Sequence, residues 1–223
     1  MKTRRLRLVL TMMALLLAAA MVVVTGCGGS SETTSTESTG AGGETTTSVS
    51  VENGSLGGTY SNAEYSFSFQ YPKSWQVEEG PTAEVTAGAT AVLSLGVYNP
   101  EGAIAQDTYI DLVQVSIYKL NVVVDESLMP DIREEVEAVV ESLETQAGDL
   151  TVVEPLSDTT VNGIDGFTVT YTLTKNDAPV KSTLYFLFFG DIEYQVTVQA
   201  AEENWDADKP IFDALIASFK PNP

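Results

Sequence analysis

Tyr65, Phe67, Phe69 and Tyr71 alternate with Ser66, Ser68 and Gln70. A period of two buries one face and wets the other, so residues 65–71 read as an antiparallel strand that Pro72 ends. Trp75 begins a second short stretch. The aromatic row would also suit a carbohydrate-stacking platform, but core packing is the preferred reading. Residues 91–98 and 109–120 read as two further strands, with Val113, Val115 and Ile117 alternating with Gln114 and Ser116. The turn Asn99, Pro100, Glu101, Gly102 separates them.

The period then changes. Ile132, Val136, Val139 and Leu143 fall on one helical stripe, which predicts a helix over residues 130–146. Pro130 suits its first turn, Asp131 and Glu134 complement the dipole there, and Gly148 lies just past its end. Glu134, Glu137, Glu141 and Glu144 line the opposite face, where like charges three and four residues apart repel. That face reads either as plain solvated surface or as a contact for a basic partner or a bridging cation.

The carboxyl half reads as a β-meander. Strands over 150–161, 166–174, 180–189 and 192–201 are separated by Asn162-Gly163, Lys175-Asn176-Asp177 and Gly190-Asp191. Tyr185, Phe186, Leu187, Phe188 and Phe189 are apolar on both faces, so that strand is expected to be central and covered on both sides. A second helix closes the chain: Asp208 is expected to cap it and Pro210 to sit in its first turn. Ile211, Phe212, Leu215, Ile216 and Phe219 face inward, and Pro221 stops it. The expected fold is α+β, a three-layer α/β/α sandwich around a largely antiparallel sheet, occupying residues 59–223.

Residues 1–58 are of a different kind. Lys2, Arg4, Arg5 and Arg7 precede an apolar run from Leu8 that ends in Val24, Thr25, Gly26 and Cys27. The run is short for a membrane span and ends in small residues, as a processed export signal does. A small residue before the single cysteine fits a lipobox. Residues 1–26 are therefore expected to be a lipoprotein signal peptide, and Cys27 the acylated (palmitate-class) new amino terminus. Two or three acyl chains suffice for stable attachment. Residues 27–58 are the cysteine expected to be lipidated followed by a stretch built mainly from Gly, Ser, Thr and Glu, with no aromatic residue, lysine or arginine and only Val49, Val51 and Leu56 able to bury much surface. Such a segment buries too little to fold, and as a tether it spans roughly 30 Å.

The whole chain carries a net charge of −20, and loss of the four basic residues of the signal makes this −24. Nucleic acid and anionic lipid head groups are thereby poor partners. With no histidine and no second cysteine, Ser-His-Asp and Cys-His catalysis and histidine or thiolate metal sites are ruled out within one chain. A calcium site of carboxylate oxygens stays chemically possible, but no loop carries the alternating aspartates of such a site. Glu78 with Glu79, and Glu202 with Glu203, are adjacent carboxylate pairs. Neighbours in a strand point to opposite faces, so they make poor acid/base partners.

The strand ending in Tyr71-Pro72 with Trp75 just after it resembles the opening of PsbP-like domains. So does the ending, with Trp205 and a closing helix finishing in Ser218-Phe219-Lys220. The resemblance covers about residues 60–221 and implies an antiparallel sheet between helices. It also implies a binding or assembly role rather than an enzyme. The family includes an extrinsic subunit of the oxygen-evolving photosystem, a nuclear regulator that binds a small GTPase, and many bacterial lipoproteins. Metal sites of plant members involve histidine, which this chain lacks, so the resemblance brings no cofactor and no site residue.

Taken together, the expectation is an exported lipoprotein on the outer side of the cytoplasmic membrane, or on the outer membrane of a two-membrane cell. It would carry a non-catalytic binding or assembly domain, with an envelope protein as partner at the Glu134, Glu137, Glu141 and Glu144 face. The alternative is a small-ligand or calcium-binding receptor lipoprotein.

Overall fold

In the computed structural model, which describes residues 56–80, 82 and 89–221, the longest element is β10, Ala178–Ala201. It is a single run of extended residues that folds back on itself. Its first half pairs antiparallel with β9, Ile164–Lys175, and its second half with β7, Leu112–Val124. The two ends of β10 lie together, since the amide of Glu202 donates to the carbonyl of Pro179 at 3.0 Å and Val180 shares a cluster with Ala201. Reversal happens at Gly190, whose φ of 64° is a left-handed value that glycine adopts without a Cβ penalty. The hairpin expected around Gly190-Asp191 is thus present.

Around this element, β3 (Gln76–Gly80), β4 (Ala89–Tyr98) and β8 (Thr151–Val161) complete an antiparallel sheet in the order β3-β4-β7-β10-β9-β8. A second sheet joins β1 (Leu56–Asn62), β2 (Phe67–Pro72) and β11 (Lys220–Pro221), with β2 in the middle. A small ribbon of β5 (Ile104–Ala105) and β6 (Thr108–Tyr109) interrupts the path from β4 to β7. The helices are α1, Met129–Ala147, and α2, Trp205–Ser218. The fold is α+β with a mostly antiparallel sheet. β1 begins at Leu56, within the stretch expected to be tether; the rest of that stretch, the expected signal peptide and Cys27 lie outside the described residues.

Because side chains alternate along a strand, β10 feeds two cores at once. Leu184, Phe186 and Phe188 pack in the cluster that holds Ile132, Val136 and Val139 of α1. Leu187, Tyr194, Val196 and Val198 belong to the cluster that holds Phe212, Leu215 and Ile216 of α2. The second cluster also takes Phe67 and Phe69 of β2, which stack with Phe219 at centroid distances of 5.5 and 6.1 Å. The aromatic row of the first predicted strand is therefore core. Its polar face is not wet throughout: Ser68 is buried, because β2 is the central strand of its sheet and pairs there with Lys220.

Two local expectations are corrected. Tyr65 and Ser66 belong to the turn before β2, where Ser66 takes a φ of 53°. Asp208 does not cap α2: the helix starts earlier, after Asn204, whose carbonyl accepts from the amides of Ala207 and Asp208 at 3.0 Å. Trp205 is buried in the core and draws the first turn in with it. The side chain of Asn204 donates to Asp111 at 3.0 Å instead of capping. Pro210 accordingly falls inside the helix and removes one backbone bond.

Asp111 is buried and bonded on every side. Its carboxylate accepts from the amides of Ala103 and Ala201, both at 2.8 Å, as well as from Asn204. One acidic side chain thereby fixes the excursion between β4 and β7, the end of β10 and the entry to α2. Gly102 leaves room for it, since a Cβ there would meet Asp111 Oδ2 at 2.8 Å.

Glu193 is a second buried carboxylate, and its situation is different. It is fully buried on β10 opposite Tyr118 of β7. Oε1 accepts from Gln195 Nε2 at 2.8 Å, while Oε2 has no partner among the described residues. Burial pushes its pKa up to about 7, against the lowering effect of the Gln195 bond. Tyr118 is in turn pushed up to about 12, first by burial and then by the charge of Glu193.

A raised carboxylate pKa means that the folded state holds the proton more tightly than the unfolded chain. Its stabilisation is complete below the unfolded value near 4.5 and is lost as pH rises through about 7. Glu193→Gln is expected to leave stability almost unchanged at pH 4. Above pH 8 it should raise stability on the order of 3 kcal/mol, read by urea unfolding across pH. Packing supplies a second expectation. Gly166 lies opposite Leu187, and a Cβ on it would sit 1.9 Å from the carbonyl oxygen of Phe186. Gly166→Ala should therefore cost about 1–3 kcal/mol in the same unfolding measurement, through displacement of β9 from β10.

Candidate functional site

β7 ends at Val124 and the chain turns through Asp125, Glu126 and Ser127 into α1. Asp125 Oδ1 builds this turn by accepting from the amide of Ser127 at 2.9 Å and from its hydroxyl at 2.6 Å. The amide of Leu128 closes it on the carbonyl of Asp125 at 2.9 Å. Leu128 occupies the helix cap without a side-chain bond, and Pro130 follows in the first turn. The amino end of α1 is thus brought to the corner of the sheet where β8 ends, β9 begins and β10 reverses.

Arg133 fastens the helix there. It is the one basic residue of α1. Its guanidinium bonds Asp158 of β8 through Nη1, donates to the carbonyl of Leu156 through Nη2 at 3.1 Å, and donates to Glu137 through Nε at 3.1 Å. Its central carbon also lies 5.7 Å from the centre of the Phe167 ring, within cation–π range. With two carboxylates, one carbonyl and one ring as partners, its charge is satisfied within the fold.

Two adjoining cavities open beside it. One of about 410 Å³ is lined by Glu126, Met129, Arg133, Asp158, Asp165 and Phe167. The other, of about 590 Å³, is lined by Val124, Ser127, Met129, Asp165, Phe188 and Phe189. Phe189, at the hairpin tip, is 42% exposed although Leu187 and Phe188 before it are buried. Asp165 accepts from the Thr160 hydroxyl at 2.8 Å across the β8–β9 turn. The site is a concavity with apolar walls and an acidic rim.

The sequence-predicted residues lie close by but elsewhere. Glu134, Glu137, Glu141 and Glu144 are all exposed along α1, and none lines either cavity. Glu137 is tied to Arg133; Glu135, half-buried on the same helix, has its pKa raised by burial and then by the charge of Glu134. Cys27 lies outside the described residues. Glu78 and Glu79 are neighbours on β3 and accept from different tyrosines, Tyr98 at 3.4 Å and Tyr60 at 2.7 Å. Glu202 and Glu203 sit exposed in the turn before α2. Among the described residues, no three acidic side chains are gathered to hold a metal ion, and no helix is long and apolar enough to cross a membrane. Arg133, Met129, Asp158 and Asp165 carry no site reading in the sequence, and Phe189 reads there only as part of a covered strand. Arg133 alone carried a signal, as the lone cation in an acidic helix.

Several solved structures are similar to this chain. The solution structure of cyanobacterial PsbP (CyanoP) from Synechocystis sp. PCC 6803 superimposes with a TM-score of 0.50 at 16% identity, covering 77% of this chain and 95% of that one. A Bacteroides thetaiotaomicron structure gives 0.47 at 18% identity, covering 76% of this chain and only 50% of the other. LpqN of Mycobacterium tuberculosis, described as involved in cell envelope biogenesis, gives 0.47 at 10% identity over 70% and 83% of the two chains. No curated protein matches. At 16% identity the likeness to CyanoP speaks to fold alone. The family described as PsbP-like protein matches residues 13–221, and the chain accordingly belongs to the PsbP-like family.

Proposed function

We propose that this protein is an exported lipoprotein whose PsbP-like domain is a non-catalytic binding or assembly module of the cell envelope. The observation that carries the reading is Cys27, the only cysteine, placed directly after a basic and apolar leader and a small residue. Acylation there explains a lone thiol in an exported chain and fixes the domain to the outer side of a membrane. The Gly, Ser, Thr and Glu stretch after it supplies reach. The six-stranded sheet then serves as the middle layer of an α/β/α arrangement, rigid enough to present a surface.

Support for binding rather than chemistry comes from the acidic concavity at the amino end of α1 and from the exposed glutamates beside it. The partner contact is assigned to the face carrying Glu134, Glu137, Glu141 and Glu144, and the partner is an envelope protein. Four carboxylates on one side of a helix of mainly negative charge favour a basic surface.

Two measurements check this. Cys27→Ser should move the protein from the membrane fraction to the soluble exported fraction and abolish incorporation of labelled palmitate. Retention in the membrane without label would overturn the anchor. Crosslinking in intact cells should recover one dominant envelope protein. Glu137→Lys with Glu141→Lys should reduce that recovery about ten-fold or more, as like charges then face each other.

A further inference from the structure

The two cavities share Glu126, Met129 and Asp165, so they form one groove running from Arg133 to the β10 tip at Gly190. Its walls are apolar: Met129, Phe167, Phe188 and Phe189, the last of these turned partly outward. Val123, just before the groove on β7, is 64% exposed. A hairpin-tip phenylalanine left in water beside an open apolar groove is a cost that a partner would remove.

The rim determines what that partner is. Asp125, Glu126, Asp158 and Asp165 surround the groove, and the cation among them, Arg133, is already bonded to Asp158 and Glu137. The rim is therefore net acidic, and the chain as a whole carries −20. An anionic membrane surface or an acidic peptide is repelled from it. A purely basic, hydrophilic peptide leaves Phe189 and Met129 wet. Charge and surface are both matched by one kind of occupant.

We infer, resting on the binding-module reading above, that this groove receives a segment of a partner protein in which lysine or arginine lies beside apolar side chains. The apolar side chains pack on Met129 and Phe189, and the cation sits between Glu126 and Asp165. The groove anchors the contact, and the glutamate face of α1 extends it along the helix.

The test uses the full-length lipidated protein in cells, with Phe189 replaced by the photo-crosslinker p-benzoyl-phenylalanine and the captured peptide sequenced by mass spectrometry. A matched protein carries the same crosslinker at Glu141. The expected result is a captured peptide from an envelope protein with lysine or arginine next to apolar residues. Its yield at Phe189 should fall about ten-fold or more when Glu126→Lys and Asp165→Lys are combined. Glu126→Gln alone, a milder change at an exposed position, should lower it several-fold with an unchanged melting temperature.

Capture at Phe189 of lipid, glycan, a second copy of this chain or an acidic peptide would overturn the inference. So would a yield that survives both sets of substitutions. Capture from Glu141 but not from Phe189 would remove the groove and leave the binding module standing. Capture from neither would remove both.

Discussion

The constraint on which the structure turns is the double-sided burial of β10. Its residues around Phe186, Leu187 and Phe188 are apolar on both faces and almost inaccessible. A strand of this composition is stable only if each face of the sheet is covered. Both helices answer that demand: one adds Val136 and Val139 to the cluster of Leu184, Phe186 and Phe188, the other adds Phe212 and Leu215 to the cluster of Leu187. The small sheet of β1, β2 and β11 completes the cover beside α2, with Phe67, Phe69 and Phe219 as its shared content. At the tip of β10 the cover stops, and Phe188 and Phe189 become cavity walls.

The position of the groove is a product of how α1 is attached. Its apolar stripe is short, with Ile132, Val136 and Val139 buried, and its outer face repels itself through its glutamates. Arg133 compensates locally by holding the amino half of the helix to β8 and β9. The carboxyl half has no such fastening among its own residues, because the last turn holds no basic side chain. Gly148, with φ of 70°, ends the helix there in the left-handed conformation. Val140 and Leu143 hold that half by packing on the same cluster, and just past it Asp149 accepts from the amide of Thr174 at 2.9 Å.

The meander was legible in sequence because its turns are made by residues that tolerate a left-handed backbone. Asn162, Gly163, Asn176, Asp177 and Gly190 all have positive φ. The helix α1 was legible for its stripe and its glycine stop. β1 was not, because Leu56, Gly57 and Gly58 read as tether, and only its partner β2 gives it a place. The start of α2 was misplaced because the decisive contact, Asn204 to Asp111, spans 93 residues of chain. The groove was invisible for the same reason: Glu126, Asp158, Asp165 and Phe189 come from four separate stretches that only the folded sheet brings to one corner. A glutamate face, by contrast, can be read along a single helix.

Glu193 gives folding a chemical partner beyond the chain itself. Near neutral pH the unfolded protein releases that carboxyl proton, and the folded protein keeps about half of it, given a pKa raised from 4.5 to about 7. Folding in that range is coupled to taking a fraction of a proton from the surrounding buffer. The heat released on folding therefore includes the ionisation heat of whatever surrendered the proton, and it differs between a phosphate and an amine buffer at the same pH.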